Sequence, residues 1–129
     1  MLTAGAATRV YLAAGVTDMR KGFEGLFALV RGQLAQDPLS GHVFVFCNRQ
    51  RDRLKLLYFD GSGLWVCAKR LEGGRFRWPA AGGGSGGVVT LSRAELTMLL
   101  EGIDLLATRQ RRWHRREPGA DGRAAGITG

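Results

Sequence analysis

The first 36 residues contain two hydrophobic patterns that differ in period. Residues 9–15 read RVYLAAG, a short apolar run ending at glycine, which is typical of a strand. From Asp18 to about Gln36, apolar positions recur three or four residues apart and therefore share one face of a helix. These positions are Met19, Phe23, Leu26, Phe27, Val30 and Leu34. We predict a strand and then a helix over residues 18–36, with Thr17 as its N-cap.

Between His42 and Pro79 the pattern changes to short runs of β-branched and aromatic residues. The runs are HVFVFCN, RLKLLYFD, LWVCAKRL and RFRWP, and the connections between them contain RQR, GSG and EGG. Connections this short join neighbouring antiparallel strands. The pattern therefore predicts consecutive hairpins, which together form an antiparallel β-meander.

The remaining sequence predicts a linker, one more strand and a second helix. Residues 80–87 read AAGGGSGG, the composition of a flexible linker, and VVT follows as a last short strand. In LSRAELTMLLEGID, Ser92 is followed three residues later by Glu95, the spacing of a capping box at a helix start. Beyond Ala107 the chain is polar and rich in arginine, which predicts a disordered tail.

These elements predict an α+β fold class. We expect an antiparallel β-meander of four to six strands, with the long helix packed on one face, a short C-terminal helix and a disordered basic tail. Residues 1–106 would form a single α+β domain with residues 80–87 as an internal linker, and residues 107–129 would form the tail. The length of 129 residues fits one domain with one core.

The hairpin turns predict which side chains share a face of the sheet, because register fixes the alternation. With Gly61-Ser62 as a two-residue turn, Tyr58 faces Trp65 and Arg53 faces Arg70. A second turn at residues 73–74 sets Arg70 opposite Arg77. A five-residue connection after Cys47 sets Phe46 opposite Leu54 and Phe44 opposite Leu56. We predict that one face forms the core under the long helix, built from Phe44, Phe46, Leu54, Leu56, Tyr58, Trp65, Cys67, Leu71, Phe76 and Trp78.

Positive charge dominates the other predicted face and the C-terminal tail. The chain has 19 Lys and Arg against 11 Asp and Glu, a net charge of +8, which favours a polyanionic partner such as nucleic acid. Arginines around a tryptophan can neutralise phosphates and stack on unpaired bases. The candidate nucleic-acid-binding residues are Arg53, Lys55, Arg70, Arg75 and Arg77 on the sheet, and Arg109, Arg111, Arg112, Trp113, Arg115 and Arg116 in the tail. The alternatives are ordinary solvated charge on the sheet and a tail that only aids solubility.

The motif GVTDMRKGFEGL places cations at a helix start, where the helix dipole disfavours them. One explanation is an ion pair between Arg20 and Glu24, which are four residues apart. The other is that Arg20, Lys21 and the free N–H groups form an anion-binding pocket.

No catalytic, metal-binding or cofactor-binding constellation is visible in the sequence. His42 and His114 are far apart, and Cys47 and Cys67 lie in apolar strands without metal-ligand spacing, as expected of buried structural thiols. The carboxylates are accounted for by caps and turns. No signal peptide or apolar run of membrane-spanning length is present, so we expect a non-enzymatic, cytoplasmic protein that does not associate with membranes.

Four motifs of the chain are distinctive, namely GVTDMRKGFEGL at 15–26, DPLSGHVFVF at 37–46, LKLLYFDGSGLWVCAKRLEGGRFRWP at 54–79 and LTMLLEGID at 96–104. In order and spacing they resemble the TnpB accessory proteins of the insertion-sequence-66 family of bacterial transposable elements. The resemblance implies a small protein encoded beside the transposase of the element, which assists transposition and has no catalytic residues of its own. It also implies the transposase as a partner.

Three functions remain open from the sequence. The protein could bind DNA as an accessory factor in transposition, or it could be an adaptor that binds only the transposase. The third possibility is an RNA-binding regulator.

Overall fold

A computed structural model describes residues 8–78 and 87–102, in which two helices and five strands occur. The strands are β1 (Val10–Ala13), β2 (Val43–Cys47), β3 (Arg53–Phe59), β4 (Leu64–Arg70) and β5 (Val88–Leu91), and the helices are α1 (Phe23–Gly32) and α2 (Arg93–Leu100). The glycine-rich residues 80–86 and the predicted tail lie outside the described residues.

The strands form one mixed sheet in the order β4-β3-β2-β1-β5. β1 pairs in parallel with β2, while the β2–β3, β3–β4 and β1–β5 pairs are antiparallel. The predicted antiparallel meander with a long helix on one face is therefore wrong. The physical reason is the connection from β1 to β2, which contains α1: a crossover of that length allows two neighbouring strands to run in parallel.

Apolar side chains cover both faces of the sheet, so the core has two parts. Leu26 and Val30 of α1 pack on one face with Phe44, Phe46 and Leu57. Leu96 and Leu99 of α2 belong to the core on the other face, and residues 71–78 contribute to that side. That second cluster contains Leu54, Leu56, Tyr58 and Phe76, with Cys67, Leu71 and Trp78 partly buried against it. Most side chains predicted to lie under the long helix thus belong to the cluster that α2 and residues 71–78 complete, and α1 covers the opposite face.

The prediction failed at β2 because of a one-residue shift in register. The structure pairs Cys47 with Leu54 and Phe46 with Lys55. Asn48 causes the shift: its N–H donates to the Arg53 carbonyl at 3.1 Å, and its side-chain oxygen accepts the N–H groups of Asp52 and Arg53 at 3.1 Å. Asn48 is thereby drawn opposite Arg53, which leaves residues 49–52 as the turn, and the resulting shift of one residue moves Phe44 and Phe46 to the α1 face.

Helix α1 is shorter than predicted at both ends. It begins at Phe23 after Gly22, whose position lacks a side-chain cap, so Thr17 is not the N-cap. Instead Thr17 is buried, and its N–H donates to the Cys47 carbonyl at 2.8 Å. The helix ends at Gly32, and Ala35 then takes a left-handed conformation with φ of 53°, a backbone change that terminates helices.

Among the other sequence predictions, some are confirmed and some are wrong. The capping box of Ser92 and Glu95 is confirmed, as is the β3–β4 register, which pairs Tyr58 with Trp65 and Arg53 with Arg70. The predicted strand RFRWP is not formed, although Phe76 is buried as expected. Phe23 and Trp65, both predicted to be buried, are 52% and 43% exposed.

Candidate nucleic-acid interface

The order of β1, α1 and β2 along the chain brings three segments to one end of the sheet. Because β1 and β2 are parallel, residues 15–22, which follow β1, lie where β2 ends, and the Thr17–Cys47 hydrogen bond fixes them there. The Lys55 ammonium adds a second attachment by donating to the Lys21 carbonyl at 2.9 Å. Lys55, a predicted nucleic-acid contact, is thus half-buried and holds this loop to the sheet.

The connection between β2 and β3 and the segment after β4 meet at the same end. The Leu71 N–H donates to the Asp52 carbonyl at 2.8 Å, and the Phe76 N–H donates to the Arg51 carbonyl at 2.6 Å. Phe76 is only 2% exposed, so its side chain anchors the segment in the core. Its neighbours Arg75 and Arg77 are exposed on either side of that anchor.

We call the surface formed by residues 15–24, 48–55 and 70–78 the arginine end. These segments carry nine cations, namely Arg20, Lys21, Arg49, Arg51, Arg53, Lys55, Arg70, Arg75 and Arg77. Their four acids are Asp18, Glu24, Asp52 and Glu72. In the rest of the described chain, Arg9, Arg31, Lys69 and Arg93 are matched in number by Asp37, Asp60, Glu95 and Glu101. The excess positive charge of the described residues is therefore confined to the arginine end.

Arg53 and Arg70 lie directly opposite each other on β3 and β4, and both are exposed. Arg70 makes a 3.3 Å ion pair with Glu72, whose side chain is 83% exposed. Asp52 is turned to the Asn48 amide at 2.8 Å instead of toward Arg53. Two guanidinium groups thus share one face at the end of the sheet, where like charges disfavour folding.

Arg20 forms a different ion pair from the one predicted. Its guanidinium donates to both carboxylate oxygens of Asp18, with a shortest distance of 2.7 Å, and the Arg20 N–H donates to the same group. These bonds hold the pKa of Asp18 well below its usual range. The prediction of an Arg20–Glu24 pair is therefore wrong. The acid that offsets Arg20 precedes the helix, since α1 begins only at Phe23.

Arg51 lies deeper in the arginine end and was missed by the sequence prediction, as was Arg49. Its backbone has a left-handed φ of 61°, and its guanidinium lies 5.5 Å from the centre of the Trp78 ring. One terminal nitrogen of Arg51 and the Trp78 indole nitrogen are buried without a hydrogen-bond partner among the described residues. The RQR stretch before β3 was the available signal, because it continues the series Arg49, Arg51, Arg53.

Cys47 and His42, two residue types often used in catalysis or metal binding, have structural roles here. Burial raises the pKa of the Cys47 thiol, with a hydrogen bond to Arg51 opposing that rise, so the reactive thiolate is disfavoured. His42 accepts the Arg9 N–H at 3.0 Å through Nδ1. Within residues 8–78 and 87–102, the His, Cys, Asp and Glu side chains form no group of three that could hold a metal ion. None of the helices there is long and apolar enough to cross a membrane.

The structure brings the sheet candidates together but does not describe the tail candidates. Arg53, Lys55, Arg70, Arg75 and Arg77 all belong to the arginine end, although Arg77 does not face Arg70 across a hairpin as predicted. The other candidates lie outside the described residues, and these are Arg109, Arg111, Arg112, Trp113, Arg115 and Arg116.

The fold and this surface define a small mixed-sheet protein with a cationic end. Comparison with known proteins places it more narrowly: the sequence model of the family described as "IS66 Orf2 like protein" matches residues 8–110. The chain belongs to this family, which is associated with the transposition of insertion sequences, and the resemblance drawn from the sequence motifs is confirmed.

Two relatives come from Sinorhizobium fredii. The protein named "Uncharacterized protein y4hO" is 45% identical over 104 residues, which cover 81% of this chain and 88% of the relative. "Uncharacterized protein y4jC" is 38% identical over 96 residues, which cover 74% of this chain and 80% of the relative. No solved structure matches the chain.

Proposed function

We propose that the protein is a non-catalytic accessory factor that assists transposition of an insertion sequence by binding nucleic acid through the arginine end. The observation that carries this proposal is the distribution of charge: nine cations and four acids occupy the arginine end, and the rest of the described chain is balanced. Family membership supports the link to transposition.

The opposed pair Arg53 and Arg70 supports a role for this surface in binding polyanions. Side by side on two strands, the two guanidinium groups repel each other in the free protein. A phosphodiester between them accepts hydrogen bonds from both and replaces that repulsion with attraction. Phosphate contacts of this kind carry no sequence information, so we expect little preference among DNA sequences from this surface.

The test is a binding titration of the full chain with element-end DNA, unrelated DNA and RNA over a range of salt concentrations. Counterion release makes the logarithm of the binding constant fall linearly with the logarithm of salt, with a slope of about −0.9 per phosphate contact on duplex DNA. The variant Arg53→Gln/Arg70→Gln should weaken binding and reduce the magnitude of that slope by about 2. The control Arg9→Gln/Arg31→Gln removes the same charge away from the arginine end and should leave the slope nearly unchanged.

A deletion of residues 107–129 separates the two groups of candidate contacts. If the arginine end dominates, the shortened chain retains most of the binding, and the Arg53→Gln/Arg70→Gln change remains damaging within it. If binding disappears with the tail alone, the proposed site is wrong.

Two other results identify the alternative functions. A full chain that binds neither DNA nor RNA at low salt, but retains the transposase, would be an adaptor. Binding to RNA with no binding to DNA would identify an RNA-binding regulator.

A further inference from the structure

An aromatic ring that sequence patterning assigns to the core is half-exposed at the arginine end. Phe23 is the first residue of α1 and is 52% exposed. Leu26, one helical turn further on, is fully buried, so α1 is seated on the sheet and the exposure of Phe23 is local. Phe27, the next aromatic residue of α1, is in a different environment from Phe23, because the Arg31 guanidinium lies over its ring, 6.0 Å from the ring centre.

The position of Phe23 relative to the cations follows from hydrogen bonds and strand register. The Lys21 carbonyl, two residues before Phe23, accepts the Lys55 ammonium at 2.9 Å. Lys55 and Arg53 lie two residues apart on the same face of β3, a separation of about 7 Å along the strand. Arg70 faces Arg53 across the β3–β4 pair. The start of α1 therefore adjoins a short row of cations on the face of the sheet that α1 covers.

We propose that Phe23 is a stacking platform for an unpaired nucleobase of a single-stranded polynucleotide whose phosphates contact Arg53 and Arg70. An exposed aromatic ring beside a cationic track is the arrangement that single-strand binding uses, because the ring stacks on the base while the cations follow the backbone. A base in a duplex has both faces covered by its neighbours, so the ring contributes only to binding of unpaired strands. This inference rests on the proposed nucleic-acid function and adds the form of nucleic acid that the site prefers.

A second exposed aromatic residue provides a matched control. Trp65 is 43% exposed but lies at the other end of β4, where its indole N–H donates to the Asp60 carboxylate at 2.8 Å. The carboxylate beside Trp65 repels phosphate, and Trp65 lies five positions before Arg70 on β4, a separation of about 17 Å along the strand.

The test compares Phe23→Leu with Trp65→Leu in the full chain by fluorescence anisotropy. The probes are a 15-nucleotide DNA strand, an RNA strand of the same sequence and the corresponding DNA duplex. Phe23→Leu removes the aromatic face, keeps an apolar side chain and should weaken binding to the DNA strand, the RNA strand or both by about tenfold. Binding to the duplex should change less than about twofold, and Trp65→Leu should leave all three affinities unchanged.

The outcomes separate this inference from the proposed function. Equal loss on single strands and duplex, or no loss on either, overturns the stacking role and leaves the proposed function standing. Trp113→Leu is measured with the same probes, and a loss of single-strand binding in that variant alone assigns stacking to the tail and also overturns the stacking role of Phe23. If the unmodified chain binds none of the probes at low salt, the proposed function fails as well. The strand whose binding Phe23→Leu weakens shows whether the unpaired base comes from DNA or from RNA.

Discussion

Replacing Arg53 tests whether the arginine end is maintained at a cost to folding. Arg53 and Arg70 lie directly opposite each other, so their side chains start from Cβ atoms about 5 Å apart. Arg53→Gln removes the repulsion, and Arg53→Glu converts it to attraction. Both substitutions keep a long polar side chain at an exposed position, so no packing is lost.

The expected gain can be worked from Coulomb's law. Two unit charges about 6 Å apart in water repel by about 0.7 kcal/mol without salt. Screening with a Debye length of about 30 Å at 10 mM salt and about 8 Å at 150 mM reduces this to about 0.6 and 0.3 kcal/mol. Arg53→Gln should therefore raise the free energy of unfolding by about 0.5 kcal/mol at low salt, and Arg53→Glu by about 1 kcal/mol. The ion pair of Arg70 with Glu72 lowers both figures, because it already neutralises part of the Arg70 charge.

Urea denaturation at 10 and 150 mM salt measures these differences, since urea is uncharged and leaves ionic strength under control. The gain should shrink at the higher salt, and Arg9→Gln, which lacks an opposed arginine, should show no comparable effect. An Arg53→Glu variant that is less stable than the unmodified chain at both salt concentrations would refute the reasoning. So would a gain that does not depend on salt.

Three further substitutions test the fold by urea denaturation. Phe44→Ala should cost about 3–5 kcal/mol, because Phe44 is fully buried and stacks on Tyr11 with ring centres 5.6 Å apart; a cost below about 1 kcal/mol would contradict its place in the core. Ala35→Gly should stabilise by about 0.5–1 kcal/mol, since glycine adopts the positive φ of 53° without strain, and destabilisation would show that the helix ends differently. Ser92→Ala should lower the free energy of unfolding by about 1 kcal/mol, because α2 loses its N-cap hydrogen bond, and Ser92→Thr should largely preserve the stability.

The β3–β4 hairpin could be predicted from sequence because its turn is local. Gly61 takes a positive φ of 102°, which glycine adopts readily, and Gly61-Ser62 sets the pairing of every residue on the two strands. The capping box of α2 was predictable for the same reason. In both cases, residues within a few positions of one another determine the geometry.

The parallel pairing and the two-sided core depend on contacts that are distant in sequence. The β2–β3 register depends instead on a local contact, because the Asn48 side chain accepts the N–H groups of Asp52 and Arg53, a bond that the hydrophobic pattern does not reveal. A usable signal was present in β2 itself, whose five residues Val43–Cys47 are all apolar and all buried. An uninterrupted apolar strand indicates cover on both faces.

The candidate site was partly predictable for a similar reason. The register of β3 and β4 correctly paired Arg53 with Arg70, but the hairpin predicted to pair Arg70 with Arg77 is absent. Phe76 packs into the core beside Arg51, and this contact brings Arg75 and Arg77 to the same end of the sheet by another route. The contribution of residues 15–22 could not be foreseen without the parallel β1–β2 pair.

The central claim is that nucleic acid binds at the arginine end, and backbone amide NMR spectra of the full chain during titration with an oligonucleotide test it most directly. We expect chemical shift changes to concentrate in residues 15–24, 48–55 and 70–78. The turn at residues 60–63, at the other end of the β3–β4 pair, should stay unperturbed. Changes centred on that turn or on α2, with the arginine end unaffected, would contradict the account.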